Sequence, residues 1–220
     1  MTLCALVTGL LLVSGAISSS LGAIATVPAG LSNGDKYRLV FVTSGTTVAS
    51  SSDIATYNSF VASAAAAIPE LNALGVTWTA IVSTASVDAR DNTGTNPNSS
   101  LGVPIYELDG NLVANNNADL WDGTIGNSIN ETEDDNSITR DVWTGTHSDG
   151  TASDPLGISP ARYGYSTFSH GGWVSSGTIS TGFEFSLYGI SDEITVVPEP
   201  GTTLLSILGL TALGLRRRRG

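Results

Sequence analysis

Hydrophobic and polar positions alternate along Lys36-Tyr37-Arg38-Leu39-Val40-Phe41-Val42-Thr43, with β-branched and aromatic residues, which predicts a strand. Ser50, Ser51, Ser52 and Asp53 then offer helix caps. Tyr57, Phe60, Val61, Ala64, Ala65 and Ile68 follow at helical spacing, and Pro69 marks a stop. This is the one long helix the pattern predicts. Val76 to Ser83 reads as a second strand, and the Asn, Asp, Gly and Pro of 88–100 as a loop. Val103 to Leu108 predicts a short strand, with Pro104 favouring an edge position. Asp109-Gly110-Asn111 turns the chain back into Leu112-Val113-Ala114. A long polar stretch precedes strand character at Asp141 to Thr146, Ser148 to Thr151 turns again, and Gly182 to Ile190 alternates as a last strand.

Strand, helix and strand, then a loop-rich half with short strands and a closing strand, predict an α+β domain of one main helix and short antiparallel strands. Its first and last strands are placed to pair antiparallel and bring the ends together. A β-sandwich is the alternative fold.

Both ends depart from this pattern. Ala5 to Val13 is an apolar core followed by small residues, and Ala23-Ile24-Ala25 has the small-x-small form of a signal-peptidase site. Gly201 to Leu215 carries no charge and is followed by Arg216, Arg217, Arg218 and Arg219. An apolar run of that length is short of the roughly 20 residues of a stable spanning helix, and the arginines would hold its end on the cytoplasmic side. Pro198 and Pro200 would leave an extended elbow before it. The organisation expected is a signal peptide at 1–25, an exported domain at 26–196 and a C-terminal segment at 197–220.

Charge sharpens the division. Outside the terminal arginine block there are five basic residues, Lys36, Arg38, Arg90, Arg140 and Arg162, against twenty acidic ones. Such a body repels nucleic acid and anionic lipid and suits cations, neutral glycans or basic partners. The only cysteine, Cys4, lies in the expected signal peptide, so the exported domain has no disulfide, thiol nucleophile or cysteine metal ligand.

Candidate chemistry is sparse. Only His147 and His170 offer a near-neutral base. No Gly-x-Ser-x-Gly elbow and no His-Glu-x-x-His motif occurs, which predicts no catalytic residues. Twenty acids still permit a glycosidase-like carboxylate pair, so a secreted polymer-acting hydrolase is one alternative. Glu131, Glu133, Asp134 and Asp135 are candidate calcium ligands, because calcium takes several carboxylate and carbonyl oxygens from a flexible loop. A calcium-stabilised structural protein is thus another. Among the indoles, Trp121 and Trp143 read as core. Trp173, flanked by glycine and serine, reads as exposed and able to stack on a sugar.

The tail, with Val197-Pro198-Glu199-Pro200, the apolar run and Arg216 to Arg219 in that order, resembles the PEP-CTERM sorting signal of exported bacterial proteins. The resemblance implies processing by signal peptidase and by an exosortase, a membrane transpeptidase, with a destination at the cell surface or in extracellular polymer. Across the body, Val103 to Gly110, Leu120-Trp121-Asp122-Gly123 and Val142-Trp143-Thr144-Gly145-Thr146 with Asp149-Gly150 are similar to C-type-lectin-like domains, especially their endostatin-like branch. The disulfides usual there are absent, as are the Glu-Pro-Asn or Gln-Pro-Asp sugar loop and its Trp-Asn-Asp companion. Asn96-Pro97-Asn98 has no neighbouring acid to share a calcium ion. The resemblance therefore implies a fold more than a sugar site. The function expected is a non-catalytic exported protein for adhesion or polysaccharide association, membrane-bound only through its C-terminal segment.

Overall fold

The strand expected at Lys36 lies at the centre of the molecule. In the computed structural model, which describes residues 24–197, β1 (Lys36–Val42) is buried from its second residue onward. Its period of two sorts it between two cores. Tyr37, Leu39 and Phe41 face one cluster and Val40 and Val42 the other. A strand with both faces covered reads as a continuous apolar run, and Leu39 to Val42 within β1 is one.

The first core lies under α1 (Ile54–Ala66), whose Tyr57, Val61 and Ala65 are buried. Asp53 caps it, Oδ1 accepting from the Ala55 backbone N–H at 3.0 Å. The helix ends at Ala66. Pro69 then opens α2 (Pro69–Asn72) at a position where its missing N–H costs nothing. Continuing along the chain are β2 (Trp78–Ala80), α3 (Ala89–Asn92), β3 (Ile105–Glu107), β4 (Leu112–Ala114) and α4 (Asn117–Leu120). They are followed by β5 (Asp141–Trp143), β6 (Ala161–Tyr165), β7 (Gly177–Ile179), β8 (Ser186–Ser191) and β9 (Ile194–Thr195).

The strands form one sheet in the order β4-β3-β1-β8-β5-β6-β7. The mixed α and β content is as expected. The β-sandwich alternative does not form, because the described strands join a single sheet. The first and last long strands do pair antiparallel, Val40 opposite Ile190. Two pairings are parallel, β1 with β3 and β5 with β8, where short antiparallel strands alone were expected. Parallel neighbours need long crossovers, and α1, β2 and α3 supply one between β1 and β3. β3 is also not an edge. Pro104 lies just before its paired residues and contributes only its carbonyl, which accepts from the Arg38 backbone N–H at 2.9 Å.

β8 is buried along its whole length and is shared on one side, by β5 at Ser186 and Leu187 and by β2 at Gly189 to Ser191. Gly189 lets α1 approach. A Cβ there would lie 2.6 Å from Val61 Cγ1 and 2.8 Å from Phe41 Cζ. The opposite sheet face is covered by loops and short helical turns, α3 and α4 among them, and the second core of Ile105, Leu120, Trp121, Trp173 and Tyr188 fills the space between. β9 returns beside the start of β1, with Gly34 N donating to Val196 O and Val196 N to Asp35 O. Val197, 73% exposed, and Val27, 50% exposed, line one apolar groove at this pole, so both ends of the described chain meet there.

Among the described residues no helix is long and apolar enough to cross a membrane. Most of the expected signal peptide, Pro198 to Pro200, the apolar run and Arg216 to Arg219 lie outside the described residues.

Candidate functional site

Where β1 runs out at Val42, the following loop passes the starts of β5 and β8 and leaves a cavity of about 310 Å³. Thr46, Arg140, Asp141, Glu184, Phe185 and Ser186 line it. Its walls are held by backbone. Thr43 N donates to Leu187 O at 2.8 Å, and Leu187 N returns to Thr43 Oγ1 at 2.9 Å. Thr47 and Phe185 exchange both backbone bonds, at 2.9 and 3.0 Å. Behind them Trp143 stacks on Phe185 with ring centroids 4.6 Å apart, and its Nε1 donates to Thr47 O and Phe183 O. A site framed this way keeps its shape when empty.

Arg140 is the cation of the cavity. Its Nη1 donates to Ser44 O at 2.9 Å, and its backbone N–H donates to Ser166 Oγ at 2.9 Å. Ser44 is fixed in turn by Glu133, which is only 7% exposed: Oε2 accepts from Ser44 N at 2.7 Å and Oε1 from Ser44 Oγ at 2.5 Å. A buried carboxylate thus orients the guanidinium through one serine. Among the described residues the ion pairs are Lys36 with Glu193, Arg90 with Asp88, His147 with Asp149 and Arg162 with Asp154, so Arg140 pairs with neither acid beside it.

Two carboxylates complete the lining. Asp141 is half-buried, and that burial raises its carboxyl above the usual aspartate range. Glu184 is exposed, with Thr46 Oγ1 donating to its Oε2 at 3.5 Å. Ser186 is fully buried, and its Oγ has no hydrogen-bond partner. The cavity thus combines planar donors, two acceptors, the Thr46 hydroxyl and an aromatic face, a set that suits a small polyhydroxylated ligand. Phe183, 52% exposed, lies 6.3 Å from Phe185 between ring centroids and extends the aromatic surface outward.

The residues singled out as calcium ligands are not brought together. Glu133 is committed to Ser44. Glu131 uses its backbone, N donating to Glu107 Oε1 at 2.6 Å and O accepting from Val42 N at 2.9 Å, while its carboxyl is raised mainly by burial. Asp134 accepts from Thr132 Oγ1, a bond that lowers its carboxyl, and Asp135 sits in a left-handed turn at φ 59°. Among the described residues no group of three or more His, Cys, Asp or Glu side chains is placed to hold a metal ion.

Trp173, expected on the surface, is fully buried. It packs between Trp121, 5.8 Å away, and Tyr188, 5.6 Å away, and its carbonyl accepts from the Tyr188 hydroxyl at 3.0 Å. The glycines beside it form a 3₁₀ turn, Gly171–Trp173, that drives the indole inward, so it cannot stack on a sugar. Trp121 and Trp143 are buried as expected.

Neither histidine is set up as a base for a nucleophile. His147 is exposed, and the same Nδ1 lies 3.4 Å from Ser148 Oγ and 3.8 Å from Asp149 Oδ1. A relay needs one ring nitrogen for each partner. His170 caps the 3₁₀ turn, Nδ1 accepting from Gly172 N at 3.2 Å, and packs on Phe168.

One unusual group went unnoticed in the sequence. Glu107, in β3, is 2% exposed; its Oε1 accepts from Asn130 N at 2.5 Å and Glu131 N at 2.6 Å. Burial, with Asp109 and Glu131 nearby, pushes its carboxyl up to about 7. The alternation Ile105-Tyr106-Glu107 carried the signal, since Glu107 shares the inward face with Ile105. Arg140, Asp141 and Glu184 carried none, because only the pairing of β5 with β8 brings them together. Comparison with known proteins finds no matching family and no curated relative.

Proposed function

We propose that the chain is an exported, non-catalytic surface or matrix protein that associates with extracellular polysaccharide through the Arg140 cavity. The observation that carries this reading is the cavity itself: a guanidinium fixed over a small concave site, flanked by two carboxylates that it does not pair with and backed by Phe185. Cavities of about 300 Å³ stand at the small end of ligand sites, a size that suits one sugar unit of a polymer.

The tail supports the address. Val197-Pro198-Glu199-Pro200, the apolar run and the four arginines stand in the order of a PEP-CTERM signal, so the protein is sorted by exosortase and cleaved near Pro198 to Pro200. A C-type-lectin-like fold is the finer reading of the body. It is supported by the antiparallel pairing of the first and last long strands and by the position of Trp121 in the second core, under the loops and short helices of that sheet face.

The test has two parts. Intact mass of the exported protein should lack residues 201–220, and retention of them sinks the processing. The protein should also sediment with extracellular polymer without releasing reducing sugar. Release abolished by an Asp or Glu substitution establishes a hydrolase instead.

A further inference from the structure

The electrostatics of the cavity narrow the sugar, on the premise that the cavity is the polysaccharide site. Asp141 and Glu184 line it without a cationic partner, and Arg140 spends one nitrogen on the Ser44 carbonyl and none on a carboxylate. Locally the charge is one positive to two negative, inside a chain whose five basic residues outside the terminal block face twenty acidic ones. That field steers cations inward and anions away. A uronic acid or sulfated sugar would meet net repulsion. A neutral hexose would leave both carboxylates without a counter-charge.

A bare cation does not complete the site either. Arg140 has donors that an ammonium cannot use. Phe185 adds an apolar face. What satisfies all of these is one positive charge next to several neutral oxygens on a ring with an apolar side.

We infer that the cavity binds a hexosamine residue with a free amino group, its ammonium between Asp141 and Glu184 and its hydroxyl oxygens on the Arg140 guanidinium. Acetylation of the amine removes the charge and adds bulk at the point the two carboxylates address. A partly or fully deacetylated amino-sugar polymer is therefore the ligand class.

Calorimetric titration of the full chain with a glucosamine hexamer and with the fully N-acetylated hexamer tests this, with a lysine hexapeptide as the third probe. The free-amine sugar should bind at least tenfold tighter than its acetylated form and tenfold tighter than the peptide. Glu184→Gln, at an exposed position, should erase the preference between the two sugars, and Asp141→Asn should do the same; circular dichroism confirms that both variants fold. Equal binding of the two sugars overturns the hexosamine assignment and leaves the polysaccharide reading standing. Binding of the peptide as tightly as the amino sugar shows a charge site only and overturns the assignment. Binding of none of the three overturns the assignment, and failure of the chain to sediment with extracellular polymer then removes the broader reading as well.

Discussion

Replacing Glu107 with glutamine should change how stability depends on pH, by an amount the structure sets. The carboxyl is buried beneath the 129–138 loop, with Asp109 and Glu131 nearby, and burial is the largest cause of its rise from 4.5 to about 7. Two backbone bonds, from Asn130 and Glu131, act the other way by favouring the ionised form, and they are outweighed. Between these pH limits the folded chain holds a proton that the unfolded chain has released. The group's contribution is thus complete below about pH 4.5 and is lost as pH rises to about 7, a total of about 3 kcal/mol.

Glutamine at this position keeps an oxygen for the two N–H donors and never ionises. The stability of the native chain minus that of Glu107→Gln should therefore fall by about 3 kcal/mol between about pH 4.5 and about pH 8. Urea unfolding of both proteins at several pH values measures it. Raised groups elsewhere, such as Asp141 and Asp135, titrate in both chains and largely cancel in the difference. A difference that stays constant with pH refutes the reasoning: the backbone bonds then hold Glu107 ionised throughout. A difference that grows with pH refutes it more strongly.

Four further outcomes follow. Gly164→Ala should destabilise by about 3 kcal/mol in a thermal melt, because its Cβ would stand 1.9 Å from the Trp173 carbonyl oxygen, and that oxygen is backbone that cannot swing aside. Glu133→Ala should cost about 2 kcal/mol through the two lost bonds to Ser44, and should also weaken amino-sugar binding. Arg140→Ala should weaken binding with little change in the melt; equal binding by both variants and the native chain removes Arg140 from the site. Melting in calcium and in chelator should give the same midpoint, since the four acidic candidates do not converge, and a rise of several degrees in calcium restores the calcium-stabilised alternative.

How much was legible in the sequence depended on whether the signal was local. β1 and α1 announce themselves within their own residues, by alternation and by the Asp53 cap, and both formed close to where the pattern places them. β6, β7 and β9 were not anticipated. Ala161 to Tyr165 contains Gly164, whose place in the strand is set by the backbone of Trp173 across from it, and β7 and β9 are three and two residues long. The parallel pairings escaped for the same reason, since register between distant segments leaves no mark in either one. Trp173 illustrates the opposite error. Neighbouring glycines point to exposure, whereas here Gly171 and Gly172 let the turn tighten and bury the indole.

The acidic residues show why composition and site chemistry had to be separated. Carboxylates in so acidic a body have three fates here, and their positions in the sequence do not distinguish them. Glu107 is buried against backbone N–H groups and raised; Glu133 is buried and committed to Ser44; Asp141 and Glu184 line a cavity without a cationic partner. An acidic loop invites a metal because its oxygens are close in sequence, yet the backbone and hydroxyls of 128–138 and 44 consume them first. The acids left without cationic partners at the cavity come instead from β5 and from the residues entering β8, more than 40 positions apart and on either side of a parallel pairing. Carboxylates already satisfied by the protein's own donors have little left for a ligand, whereas Asp141 and Glu184 face a concave site. On the proposal above, Asp141 and Glu184 address the ligand's ammonium, and Glu133 acts one step behind them by holding the serine that holds Arg140.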